Sequence, residues 1–198
     1  MKLIEKYNIR KLKSNINKYG YKYSTKDFIL QSLGALAFIF IFAYLSKLEY
    51  RYVMFLVLIG LLLIPLILGA WFKQLYNIKR FSYLSEYLSN IIPIFIQKTK
   101  IRYALGEILG IVDGQMKESV SKAINYLDNT TNDKDLSKNA LKIIEDDFPN
   151  SRLKSVHKLL LNVEDNNSTN FRDIATDLYE DIEKWIKRVF SFQKDLKN

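Results

Sequence analysis

The chain has 198 residues, thirty basic against twenty-one acidic, and no cysteine. Disulfides, cysteine zinc sites and thiol catalysis are therefore excluded, and at this length one folded domain at most accompanies any membrane segment. The net charge of +9 is unevenly placed: residues 1–26 hold eight basic side chains against Glu5, whereas residues 73–198 hold twenty against eighteen acids. The excess is a tail, not a basic stripe on a domain, so nucleic acid is not an expected partner.

In chain order, residues 1–27 read as a basic N-terminal segment. Lys2, Lys6, Arg10, Lys11, Lys13, Lys18, Lys22 and Lys26 suit anionic lipid headgroups, and they equally serve as a topology signal. Next comes "FILQSLGALAFIFIFAYL", residues 28–45, and then "VMFLVLIGLLLIPLILGAWF", residues 53–72, twenty residues without a charge. Twenty helical residues reach about 30 Å, the thickness of a bilayer's hydrocarbon core. Only "SKLEYRY", residues 46–52, separates the two runs, which predicts a transmembrane helical hairpin over residues 28–72. Gly60, Pro65 and Gly69 are tolerable inside such a span. With no GxxxG in either run, no packing motif is assigned. Tyr44, Tyr50 and Tyr52 gather at one predicted interface and Trp71 and Tyr76 at the other, as in an aromatic belt.

The basic excess before the first span, with Lys73, Lys79 and Arg80 after the second, places both termini in the cytoplasm by the positive-inside rule. This predicts a multi-pass protein of the cytoplasmic (inner) membrane. The late start of the apolar run and the second span behind it argue against a cleaved signal peptide.

Residues 73–198 read as an all-α cytoplasmic bundle of six helices, centred on residues 81–189. The helical period is carried by successive stripes. They are Phe81, Leu84, Leu88, Ile91, Ile92 and Phe95; Ile101, Ala104, Leu105, Ile108 and Val112; Met116, Val120, Ala123, Ile124 and Leu127; Leu136, Ala140, Ile143 and Ile144; Leu153, Val156, Leu160 and Val163; and Phe171, Ile174, Ala175, Leu178, Ile182, Trp185, Ile186 and Val189. Pro93 predicts a kink or a restart in the first. Asp113-Gly114 predicts a break, "DNTTNDKD" (128–135) a loop, "FPNS" (148–151) a stop and a cap, and "EDNNSTN" (164–170) a turn. Short polar loops predict antiparallel neighbours.

Chemistry is sparse. The one histidine, His157, falls beside an apolar stripe and reads as a helix–helix boundary residue. A phospho-accepting histidine would want an acid after it, and Lys158 follows. Glu145, Asp146 and Asp147 and the acids of "YEDIEKW" lack the Glu-x-x-His pattern of a di-metal bundle. Asp177, Asp181 and Lys184 read as a solvated face. Walker A, GxGxxG and GxSxG motifs are absent from the sequence. Gly106, Gly110 and Gly114 suggest close helix packing. The expectation is a protein that is not an enzyme, with no catalytic residues, cofactor or metal.

Two stretches carry a family resemblance. "YLSNIIPIFIQKTKIRYALGEILGIVDGQMKESVSKAINYL" (87–127) and "ALKIIEDDFPNSRLKSVHKLLLNVEDNNSTNF" (140–171) resemble the F-type platform domain of type II secretion and type IV pilus systems. The likeness is nearest to the TadB-like proteins of the tight-adherence (Flp) pilus branch. It rests on a helix opening near a proline, an Ala-Leu helix, a glycine turn and a helix ending near an alanine. The resemblance implies a type II secretion F-like domain behind the hairpin. It also implies a membrane platform protein that couples a hexameric secretion ATPase to pilin assembly or protein secretion. Implied partners are that ATPase, pilin-like subunits and further copies of the chain. Family members carry a second hairpin after the six-helix unit, where this sequence reads "FSFQKDLKN". Candidate partner-binding residues are Glu107, Lys117 and Glu118 around the Gly114 turn, with Glu145, Asp146 and Asp147 at the opposite end of the bundle. The alternative reading is a membrane-anchored helical signalling or regulatory scaffold, whose mark would be a parallel dimer seam on the last helix.

Overall fold

The computed structural model describes residues 9–18, 21–130, 135–166 and 171–195. Among these every regular element is a helix: α1 (Ile9–Lys18), α2 (Thr25–Leu45), α3 (Tyr50–Lys98), α4 (Ile101–Ile108), α5 (Gly114–Asn129), α6 (Leu136–Asp147), α7 (Ser151–Asn166) and α8 (Phe171–Asp195). They form two compact units, Met1–Asn77 and Ile78–Asn198, and α3 contributes to both.

In the first unit, α2 and the start of α3 are long and apolar enough to cross a membrane. Both ends of α2 satisfy their own backbone groups. At the start, Ser24 and Asp27 form a reciprocal capping box, which uses amides that would otherwise lack partners. At the end, Lys47 takes a positive φ of 50°. The Leu48 and Lys47 amides then return to the Ala43 and Tyr44 carbonyls at 3.1 and 3.2 Å, a Schellman closure. Gly60 gives room where Ile39 of α2 comes close, at 2.6 Å from the position a Cβ would take. The glycine thus marks a packing contact that no sequence motif signalled.

The basic segment holds a helix that the sequence reading did not separate out. Leu12 and Ile16 of α1, four residues apart, bury against Tyr23 and Phe72. Tyr23 and Tyr21 meet Phe72 edge-on, with ring centroids 5.1 and 5.5 Å away. Residues 1–8, with Lys2, Glu5 and Lys6, lie outside the described residues.

The second unit is built on one apolar core. Leu84, Leu88, Ile91, Ile92 and Phe95 of α3 join Ile101, Ala104, Leu105 and Ile108 of α4, and Val112 beyond it. Met116, Val120 and Ala123 of α5 and Ala140, Leu141 and Ile144 of α6 complete one side. Leu153, Val156, Leu160 and Val163 of α7 and Ala175, Ile182 and Ile186 of α8 complete the other. Removing one such Leu or Ile to Ala costs about 2–5 kcal/mol in a well-packed core.

Four expectations are corrected. Of the kink or restart expected at Pro93, the restart is excluded: α3 runs through it to Lys98. The core residues Ile91, Ile92 and Phe95 on both sides hold the turn that the missing N–H weakens. The helix ends instead at Thr99, whose φ is +53°. Helix α7 extends through Glu164 to Asn166, into the expected turn. Ile174 is 57% exposed although it shares the stripe of α8, because an i+3 position at a helix's first turn can fall outside the contact. Gly106 has open space around it and Gly110 only an ordinary contact, so neither serves close packing.

Candidate functional site: the α5–α6 surface and the buried network beneath it

The acidic run at the end of α6 divides into three fates. Glu145 turns inward: its Oε1 lies 2.9 Å from His157 Nδ1. His157 Nε2 lies 3.0 Å from the Tyr87 hydroxyl, and both Tyr87 and His157 are fully buried. Burial holds the imidazole's pKa below its ordinary value, against the pull of Glu145. The hydrogen bond from His157 holds the Glu145 carboxyl below the usual range. Burial, then the nearby Glu145, pushes the Tyr87 phenol up. A carboxylate can only accept, so Nδ1 carries the proton of the neutral ring and donates it to Glu145. Nε2 is then the acceptor, and the Tyr87 hydroxyl donates to it. The chain Tyr87–His157–Glu145 links α3, α7 and α6 with its central groups satisfied. Tyr87 and His157 have no exposed surface in it, while the Glu145 side chain is 21% exposed. His157 is a core residue rather than a boundary one.

Asp147 turns sideways to α5. Its Oδ2 accepts from the buried Ser119 hydroxyl at 2.7 Å and from Lys122 Nζ at 3.4 Å. The Arg80 guanidinium donates to the Asp147 carbonyl and lies over the Phe148 ring, 5.1 Å from its centroid. Asp146 alone of the three is exposed.

The acidic end of α6 therefore sits beside the first half of α5, the half that begins at Gly114. This corrects the expectation that the two candidate groups occupy opposite ends of the bundle. Two antiparallel helices place the end of one beside the start of the next. Lys117 and Glu118 are exposed and line a shallow hollow of about 680 Å³ with Gly114, Ser121 and Lys122. Lys122 carries the connection to Asp147. Glu107 lies on α4 and pairs with Lys98 at 3.5 Å, both about half exposed.

Two residues that shape this end escaped notice in the sequence. Tyr83 packs its ring against Gly114, whose φ of +56° and absent Cβ allow the approach. Tyr87 lies three residues beyond Leu84 and four before Ile91, and that spacing was the available signal. A third, Glu164, fell in a predicted turn. Its carboxylate accepts from the Ile101 amide at 3.0 Å and the Ser137 hydroxyl at 2.7 Å. It thereby supplies the start of α4, where Lys100 offers no side-chain cap.

Asp181 and Lys184 of the solvated face carry ordinary surface pairs, with Arg152 at 3.7 Å and Glu180 at 3.1 Å, and Asp177 is exposed. Among the described residues no three His, Asp or Glu side chains come together to hold a metal ion. No protein-family model, curated protein or solved structure matches this chain.

Proposed function

We propose that the chain is a membrane platform protein, with α2 and the start of α3 as a transmembrane hairpin and the second unit as a cytoplasmic six-helix domain. In this reading the domain receives a hexameric secretion ATPase and serves pilin assembly or protein secretion in a type II secretion or tight-adherence pilus-like system. ATP hydrolysis belongs to the partner.

The observation that carries the reading is α3. One unbroken helix of 49 residues contains both the apolar run and the Leu84–Phe95 core face. Membrane residence is supported by exposure: only 6% and 11% of the two apolar windows are buried. Phe38, Phe40, Ile41, Met54, Phe55 and Leu58 are each more than half exposed. An apolar surface that continuous is not left to water. The α5–α6 end, with Lys117, Glu118 and Asp146 outward, is the partner surface. Glu145 and Asp147 shape it from within. α8 places Ala175, Ile182 and Ile186 in the intramolecular core, while Ile174, Phe190 and Phe192 stay exposed, so a dimer seam through α8 remains the mark of the scaffold alternative.

The test uses the full chain in detergent micelles, titrated with the hexameric secretion ATPase of the same organism while ATP turnover is recorded. Saturable binding with a changed turnover is expected. Glu118→Lys with Asp146→Lys should weaken it about tenfold or more, and Asp177→Lys on α8 should not. A helical chain that neither binds nor alters turnover overturns the platform reading.

A further inference from the structure

We propose that the C-terminal end of α8 docks end-on into the headgroup layer of an anionic membrane, as a second hold on the helical domain besides α3. The inference rests on the membrane reading above and adds a contact surface to it. Within the second unit α8 runs against α3. The Ser89 hydroxyl donates to Glu183 Oε1 at 2.6 Å, and Phe190 meets Phe81 edge-on, with ring centroids 5.3 Å apart. Moving up α8 is thus moving down α3, towards Ile78, where this unit begins. Ile78 comes six residues after Phe72, the last residue of the second apolar run. The last turns of α8 therefore stand at the end of the domain by which the chain joins its apolar segment.

Those turns carry aromatic rings beside basic side chains, the pairing that membrane interfaces favour. Phe190 is 41% exposed and Phe192 64%. The inward side of the helix is taken: Ile182 and Ile186 are core, and Val189 and Gln193 continue that side, partly covered. Phe190 and Phe192 lie about 160° apart round the axis. A second copy using α8 as a seam needs apolar residues about every 3.5 residues along one face, and it could take only one of the two rings. On the Phe192 side such a seam is interrupted, because Asp181 and Arg188 are exposed there and Trp185 lies beneath Arg152. A lipid layer entered by a helix tip takes apolar groups from every side of it. Lys187 stands three residues before Phe190, Lys194 four after it and Arg188 four before Phe192, and all three are exposed. Their aliphatic stems can lie along the rings with the charged heads at the phosphates. Arg188 donates its Nε to the Lys184 carbonyl at 3.3 Å, which leaves its terminal NH₂ groups. Asp195 opposes these cations on the same turns, so residues 187–195 hold three bases against one acid, and the rings supply the rest of the attraction.

The chain has no cysteine, so a single label reads one position. Ser191→Cys, exposed between the two phenylalanines, carries a fluorophore on the full chain in vesicles of equal phosphatidylcholine and phosphatidylglycerol. A nitroxide on the lipid headgroups quenches the fluorophore where it is docked, and the two lifetimes give the ratio of docked to undocked chains. Quenching is expected at 191 and not at Asp177→Cys, about 21 Å farther along α8. Phe192→Ser should lower the ratio about tenfold, as withdrawing a Phe ring from lipid implies. Lys194→Gln should lower it about fivefold, from roughly 1 kcal/mol per basic residue near the surface, and Asp195→Asn should raise it. Circular dichroism of each variant keeps a lost fold from counting as lost docking. Quenching at 191 no greater than at 177 overturns the contact. So does quenching that Phe192→Ser and Lys194→Gln both leave unchanged, since the fold alone would then hold the label near lipid. Efficient disulfide pairing of unlabelled Ser191→Cys chains that persists on dilution in lipid gives the surface to a second copy instead. Carbonate extraction separates the two claims: a chain that stays with membranes without quenching at 191 refutes only the α8 contact, whereas a chain that washes out refutes the membrane reading as well.

Discussion

Substituting Gly114 by alanine tests how the candidate surface is held in shape. Two costs combine. At φ +56° an L-residue pays about 1–2 kcal/mol, less about 0.4–1 kcal/mol from the stiffer unfolded chain. The new Cβ would also fall 2.7 Å from Tyr83 Cε2 and closer still to Cζ and Oη. Expelling that half-buried ring adds about 1–3 kcal/mol by analogy with overpacking. The sum is about 2–4 kcal/mol. Tyr83→Ala removes the obstacle, so in that background Gly114→Ala should cost only about 1 kcal/mol. The double-mutant cycle should give a coupling of about 1–3 kcal/mol. Urea unfolding followed by tryptophan fluorescence in a Trp71→Phe chain reads the second unit. Trp185 then reports alone, 5.2 Å from Phe81 and beneath Arg152. A coupling near zero would refute the account of Gly114 as the seat of the Tyr83 ring.

Stability should also fall in acid. His157 has a lowered pKa in the folded chain, so its contribution is complete above the unfolded value of 6.5 and is lost as pH drops below it. Glu145, also lowered, adds a second loss below about 4.5. His157 is the chain's one histidine. His157→Gln, which keeps a donor and an acceptor, should flatten the urea midpoint between pH 5 and 6.5, and a slope unchanged there would rule out the assignment. Thr99→Gly should raise stability by about 1 kcal/mol by relieving a β-branched residue at φ +53°; a thermal melt shifted downward would contradict the strain. Glu164→Ala should cost about 1–2 kcal/mol by stripping the cap from α4, with amide exchange fastest at residues 101–104; uniform loss of protection would point to a different cause.

The sequence was most legible where period alone decides burial. All five residues of the 101–112 stripe and all four of the 153–163 stripe are buried. Polar residues inside a stripe were harder to read. Tyr87 shares the spacing of Leu84 and Ile91, yet its hydroxyl needs a partner seventy residues away, and no local pattern carries that. Helix α1 was legible in principle, since Leu12 and Ile16 are one turn apart, but eight surrounding cations masked the pair. Antiparallel neighbours were expected, and they imply that Asp147 meets the start of α5. The fates of Glu145, Asp146 and Asp147 depend on rotation about the helix axis, which consecutive acids leave undetermined until the partners His157 and Ser119 are in place.

The Tyr87–His157–Glu145 chain also constrains how this sequence can drift. Losing one member leaves a buried polar atom without its partner, at about 1–3 kcal/mol, while exchanging all three for apolar groups of like shape approaches neutrality. The single steps lie in a valley between two habitable states. Related chains should therefore carry the three residues together or lack them together, with Phe at 87 found beside an apolar residue at 157. Each lineage would inherit the arrangement as one hereditary character rather than three.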